Sequence, residues 1–179
     1  VRRDYPAARL RIAGRGPERD KLVSLASQVG ISDAVSFLGW LQRAEVEAEL
    51  SRAWALVAPS LWAEPLGLIA LEAIIRGVPV IATSTGGFFE TVVEGVSGLL
   101  VPNGNYRMLA DRMAMVASRR AFSDQRVPKS EVDRTRQRHD IDQHIVRMRE
   151  IFTRAANGAG RLAYPSQGPT HVAPADART

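Results

Sequence analysis

Short apolar runs alternate with amphipathic stretches along most of the chain. Val1-Arg2-Arg3-Asp4 looks like the last turn of a helix, and Tyr5-Pro6-Ala7-Ala8 turns into a strand-like run over 9–13, with Leu10 and Ile12 on one face. Pro17 then stands at a first helical position. Glu18 and Asp20 lie in the first turn, and Leu22, Val23, Leu25, Ala26 and Val29 follow before Gly30 ends the pattern. A second strand is predicted over 34–38, a helix over 43–52 and a strand-like run over 53–60. Residues 68–76 have helical character, and Gly77 is placed to cap them. The β-rich run 78–82 predicts a buried parallel strand. A short helix bearing Glu90 and a short strand over 98–101 follow. Asn105 is placed to cap a helix over 106–119, where Met108, Leu109, Met113 and Val116 read as core. Residues 120–138 are charged, contain Pro128 and are predicted as a loop or frayed helix. Ile141, Ile145, Met148 and Phe152 mark a last helix. Strands alternating with helices predict one doubly wound α/β domain over 1–155, and a composition rich in Gly, Pro, Ser and Ala predicts a disordered tail over 156–179.

Composition narrows the chemistry. Hydrophobic residues make up 45% of the 179, enough for a buried core. The absence of cysteine excludes disulfides, thiolate metal sites and cysteine nucleophiles. No apolar run approaches a membrane span, and the first residues lack the apolar core of a signal peptide, so a cytoplasmic location is expected. The formal charge is +5. Many arginines lie between 107 and 154, interleaved with acids and without an aromatic platform, which fits a solvated helical face better than nucleic-acid binding. Asp140-Ile141-Asp142 has metal-binding spacing but follows no strand, so it reads as a helix cap with dipole partners. His139, His144 and His171 share no metal-ligand spacing, and no metal site is expected.

The candidate chemistry lies in Glu64-Pro65-Leu66-Gly67-Leu68-Ile69-Ala70-Leu71-Glu72. Glu64 falls in the loop at the carboxyl end of a strand, where open α/β sheets bind ligands, and Glu72 falls in the second turn of the next helix. Eight residues at helical rise span about 12 Å. That separation reaches opposite ends of an elongated ligand and is too long for an acid/base pair acting on one bond. Between the carboxylates lie the free N–H groups of a helix start, which favour phosphate. Hydroxyls at each end with phosphate between them describe a sugar nucleotide. Spacing alone is equally compatible with a solvated loop residue and a solvated helix residue. Gly14-Arg15-Gly16-Pro17 permits a ligand to approach the backbone, and serves equally as an ordinary strand-to-helix turn.

These residues carry a family resemblance. Glu64 through Glu72, with Ala73, Gly77, Pro79, Val80 and Gly86-Gly87-Phe88-Phe89-Glu90, resemble the donor-binding half of the retaining glycosyltransferases of family 4, which have the two-domain GT-B fold. Gly14-Arg15-Gly16-Pro17, Phe37-Leu38-Gly39 and Gly98-Leu99-Leu100-Val101-Pro102 extend the likeness over roughly residues 1–118, and more weakly over 139–155. The resemblance implies a Rossmann-like carboxyl-terminal half that transfers a sugar from a nucleoside diphosphate to an acceptor hydroxyl. Glu64 would then face the transferred sugar, Leu66, Gly67 and Leu68 would offer backbone N–H groups, and Glu72 would accept from the ribose. Leu41, with Trp40 beside it or serving only as a rim residue, would lie against the base, and Gly14 would line the donor site.

No cofactor or metal is implied. The partners implied are a nucleotide sugar, an acceptor saccharide, lipid or small molecule, an N-terminal GT-B domain and a peripheral membrane contact. The family's upstream Arg/Lys pair has no counterpart here, and Arg15 is the nearest basic residue in sequence. The resemblance also implies that the first, central strand is missing, so that strands at 9–13 and 54–58 should flank a slot or pair directly. The competing reading is a non-catalytic nucleotide-sugar-binding or partner-docking module. A chain lacking the acceptor half is expected to be inactive alone.

Overall fold

The computed structural model describes residues 1–157. The tail expected from 156 lies outside the described residues, except that Ala156 closes the last helix and Asn157 follows it. The chain divides into a compact unit, Val1–Arg138, and a second unit beginning at His139.

In the first unit, five parallel strands alternate with helices. In chain order these are β1 (Leu10–Ala13), α1 (Arg19–Gln28), β2 (Val35–Gly39), α2 (Arg43–Arg52), β3 (Leu56–Ala58), α3 (Leu68–Ile74), β4 (Val80–Thr83), α4 (Phe88–Thr91), β5 (Gly98–Val101), α5 (Tyr106–Ala117) and α6 (Lys129–Arg138). The order matches the α/β alternation read from the pattern. The strands form two sheets, β1-β2 and β3-β4-β5, and β1 does not pair with β3. Of the two arrangements expected for these strands, direct pairing is therefore absent.

The β3-β4-β5 sheet is covered on both faces because its side chains alternate. Val80 and Ala82 join Ala70, Ala73 and Ile74 of α3, Leu50 of α2 and Val132 of α6 in one cluster. Ile81 turns the other way, into a second cluster with Leu99, Val101 and Val116, with Met108, Leu109 and Met113 packed against it. Burial on both faces is why residues 78–82 are an unbroken apolar run, and the methionine stripe of α5 is core, as read. Helix α2 meets both sheets. Its Leu50 lies in the β4 core, and its Glu49 is bonded by the Arg11 guanidinium of β1.

Several boundaries differ from the sequence reading. Pro17 stands ahead of α1, whose N-cap is Glu18. Residues 1–5 form a turn in which the Tyr5 N–H donates to Val1 O at 2.8 Å. β3 is only three residues long, because the run before it is an extended C-cap segment of α2. The loop or frayed helix expected over 120–138 contains the regular helix α6 directly after Pro128. Lys129–Asp133 and Arg134–Glu131 pairs along that helix and the burial of Val132 and Thr135 outweigh its polar composition. Asn105 caps α5 by accepting from the Met108 N–H.

The second unit contains α7 (Ile141–Ala156), capped by Asp140, which accepts from the Gln143 N–H. That is the capping role read for Asp140-Ile141-Asp142. Among the described residues no helix is long and apolar enough to cross a membrane.

Candidate functional site

The loop after β3 carries Glu64, and it is held from three sides. The Thr83 hydroxyl at the end of β4 donates to Ser60 O at 2.6 Å. The Asn103 amide beyond β5 donates to Leu61 O at 2.8 Å. The Thr91 hydroxyl of α4 donates to Leu66 O at 2.7 Å, and the Gly87 N–H donates to Glu64 O at 2.6 Å. Gly86, at φ 54°, sits so close that an added Cβ would run into the Glu64 backbone. Within the loop, the Ser60 hydroxyl donates to Glu64 Oε1 at 2.8 Å. The carboxylate is thus half-buried and oriented through one oxygen, while Oε2 has no hydrogen-bond partner among the described residues.

The same loop delivers the chain into α3. Gly67 takes a left-handed conformation, φ 72°, and a Cβ there would lie 2.6 Å from the Phe88 ring, so only glycine fits. Its carbonyl accepts from the Ala70 N–H at 2.9 Å. No side chain caps this helix start, and the N–H groups of Leu68 and Ile69 have no acceptor among the described residues. Such groups are available to an anionic or polar ligand.

Glu72 is exposed on α3. Arg76 stands four residues on, the spacing of a helical ion pair. Its guanidinium instead donates to the Glu72 carbonyl at 2.9 Å and pairs with Glu47 at 2.6 Å. The Glu72 carboxylate is left without a partner among the described residues. Glu47 is held below the usual carboxylate range, first by the Arg43 hydrogen bond and then by the charge of Arg76. Arg76 is therefore committed to α2, which keeps Glu72 open.

Gly14 and Leu41 lie at the carboxyl ends of β1 and β2. The two loops are tied together by the Gly14 N–H, which donates to Gly39 O at 2.6 Å. Leu41 is half-buried, and Trp40 beside it is 65% exposed. The site residues thus fall into two groups, one on each sheet. Glu64, Leu66, Gly67, Leu68 and Glu72 are contiguous, Gly14 and Leu41 are neighbours, and no hydrogen bond among the described residues joins the groups.

The turn at 83–87 packs against the Glu64 loop. Ser84 donates to Val101 O, Thr85 to Thr83 O and Gly87 to Glu64 O. The turn is a brace for the Glu64 loop. Sequence reasoning missed the bracing residues Ser60, Thr83, Thr91 and Asn103. The available signal was Ser60 four places before Glu64, together with hydroxyl side chains at otherwise apolar positions: Thr83 and Thr91 are buried.

Comparison with known proteins identifies the class. The fold is that of the GT-B glycosyltransferases: sucrose-phosphate synthase from Thermosynechococcus elongatus superposes with a TM-score of 0.72 at 26% identity, over 84% of this chain and 39% of that one. Anabaena Alr3699/HepE, solved in complex with UDP, superposes with a TM-score of 0.71 at 24% identity, over 83% and 41%. The family Glycosyl transferases group 1 matches residues 1–131, and the chain belongs to it. Among curated relatives, the D-inositol 3-phosphate glycosyltransferase of Mycolicibacterium smegmatis is 40% identical over 120 residues, 64% of this chain and 27% of that protein. The chain spans about a quarter of the length of curated relatives it matches.

Proposed function

We propose that this chain is the donor-binding, carboxyl-terminal half of a retaining glycosyltransferase of family 4. In the reaction, the bond from the sugar's anomeric carbon to the diphosphate oxygen breaks. A bond from the acceptor hydroxyl oxygen then forms on the same face, and the nucleoside diphosphate leaves, taking up the hydroxyl's proton. The observation that carries the reading is the contrast between the two carboxylates. Glu64 is fixed by Ser60 and by the braced loop, whereas Glu72 is exposed and unpaired, and the open N–H groups of Leu68 and Ile69 lie between them in the chain.

On this reading Glu64 faces the sugar, where a fixed carboxylate interacts more strongly with developing positive charge than with the ground state. The backbone around Leu66, Gly67 and Leu68 holds sugar and diphosphate, and Glu72 accepts from the ribose hydroxyls. Gly14 and Leu41 line the diphosphate and base. No metal is needed. A second, N-terminal domain supplies the acceptor side, whether saccharide, lipid or small molecule, and the chain alone does not turn over.

Calorimetric titration of wild type and Glu72→Ala tests this. Hydrogen bonds to a charged acceptor contribute about 1.5–3 kcal/mol. The substitution should therefore weaken a nucleoside diphosphate by about 10-fold or more while leaving inorganic pyrophosphate nearly unchanged. Equal losses for both ligands would remove Glu72 from the ribose.

A further inference from the structure

We propose that the groove between the end of α3 and the start of α6 is a second ligand site, one that binds a phosphate monoester. The groove lies at the opposite end of α3 from the Glu64 loop, and seven helical residues span about 10 Å. It also lies ahead of β4, whereas the Glu64 loop follows β3. A cavity of about 320 Å³ opens there, room for a small ligand. Its charged lining is four cations, Arg76, Arg126, Lys129 and Arg136, and one acid, Asp133.

Two of the cations have carboxylate partners, Arg76 in Glu47 and Lys129 in Asp133. Arg126 and Arg136 have none among the described residues, and they donate only to backbone carbonyls. Arg126 bonds Ala53 O at 3.1 Å and Ser51 O at 3.3 Å, and Arg136 bonds Ile75 O at 2.6 Å. Such bonds fix a guanidinium without neutralising it. Each also keeps an Nε–H with no acceptor among the described residues.

Cations near a helix end often serve only to cap its carbonyls. Here that role accounts for Arg136 alone. The Gly77 N–H already serves Ile74 O, the Val78 N–H serves Ala73 O, and the Val127 N–H serves Gly77 O. Arg126 is tied to the chain ahead of β3, and Lys129 begins another helix. The start of that ten-residue helix adds positive field, because the Lys129 and Ser130 N–H groups have no acceptor among the described residues.

The two uncompensated guanidinium charges select the ligand. A phosphate monoester carries close to two negative charges at neutral pH and three acceptor oxygens, whereas a carboxylate carries one charge. Planar guanidinium groups also bind such oxygens in pairs. A free phosphorylated metabolite and a phospholipid headgroup share this chemistry.

The test is an amide NMR titration of the 179-residue chain with glycerol 3-phosphate, and with acetate as the singly charged control. Glycerol 3-phosphate should shift residues 75–77 and 129–130 in one saturable process, and acetate at equal ionic strength should not. Arg126→Gln and Arg136→Gln should each weaken that process on the order of 10-fold. Arg126→Lys and Arg136→Lys should retain part of the affinity, and the amide spectrum of each variant shows whether it is folded. Arg107→Gln, the same change of charge at an exposed position of α5, should have no effect. Phosphatidylcholine vesicles with and without phosphatidic acid separate the sources. Sedimentation that needs phosphatidic acid and is lost in Arg126→Gln but not in Arg107→Gln assigns the site to a headgroup, and its absence assigns the site to a free metabolite. Absence of shifts at 75–77 and 129–130, a response confined to Leu68 and Ile69, or full affinity in both glutamine variants would overturn the proposal.

Discussion

The two sheets of the first unit have the same strand–helix–strand plan and very different interiors. Around β3-β4-β5, every residue of β4 is buried, and Ile74 and Phe88 are fully inaccessible. Around β1-β2, β1 has no buried residue, α1 buries only Ala26, and Leu25 and Val29 are 51% and 57% exposed. Both helices have apolar residues at helical spacing. An apolar stripe reports what a helix can bury, and the neighbouring layers decide what it does bury. The β3-β4-β5 sheet has helices on both faces. The β1-β2 sheet is two strands wide, and pairs of strands have little independent stability in water. The Glu64–Glu72 group is built on the well-packed half, while Gly14 and Leu41 lie on the lightly packed one.

The largest effect expected from this comparison is in the core. Ile74→Ala removes a side chain from the closed cluster and should lower the unfolding free energy by about 2–5 kcal/mol. Leu25→Ala removes a similar volume from an exposed face and should change it by less than about 0.5 kcal/mol. Urea unfolding of both variants measures the difference, and comparable losses would erase the distinction between the halves.

A smaller effect is expected at the brace of the site loop. Thr91→Val keeps the shape and removes the hydrogen bond to Leu66 O, and it should cost about 1–2 kcal/mol. It should also weaken diphosphate binding, because Leu66 leads directly into the open helix start. A variant that loses stability and retains full affinity would show that the brace is structural only.

The smallest effect concerns the link between the halves. Hydrogen bonding from Arg11, and secondarily its charge, holds the Glu49 carboxyl below the usual glutamate range against some desolvation. A carboxyl lowered in the folded state stabilises it above the ordinary glutamate value, and that contribution is lost as pH falls toward the lower folded value. Glu49→Gln should therefore flatten the acid limb of the stability profile slightly. The difference from wild type should shrink in high salt, because the pair is partly exposed to solvent.

Much of this was legible in the sequence because local chemistry carried it. Residues 43–52 and 98–101 have their expected bounds, and Gly77 and Asn105 stand at helix ends as their types require. Helix α6 was obscured because Pro128 and a dense charge pattern mimic a loop, while its helical support is a set of i, i+3 and i, i+4 pairs and one packed face. At the site, the spacing of Glu64 and Glu72 was readable. The commitment of Arg76 to Glu47 was not, because it joins residues from different helices. The bracing of the Glu64 loop by Thr83, Thr91 and Asn103 was equally hidden, since each bond spans more than twenty positions. The exposure of Leu25 and Val29 could not be read from a pattern that described only their suitability for burial.

The central claim is that a donor nucleotide binds across both halves, on the firm frame of one and the open loops of the other. Residue-resolved hydrogen exchange of the 179-residue chain, alone and with a saturating nucleoside diphosphate, tests it most directly. Without ligand, the amides of β4 and β5 should exchange only through global unfolding, and those of β1 and β2 through easier local opening. With ligand, exchange should slow at Leu68 and Ile69 and, in the same titration, at residues 14–16 and 40–41. Protection confined to one of these groups, or found in neither, would contradict the account.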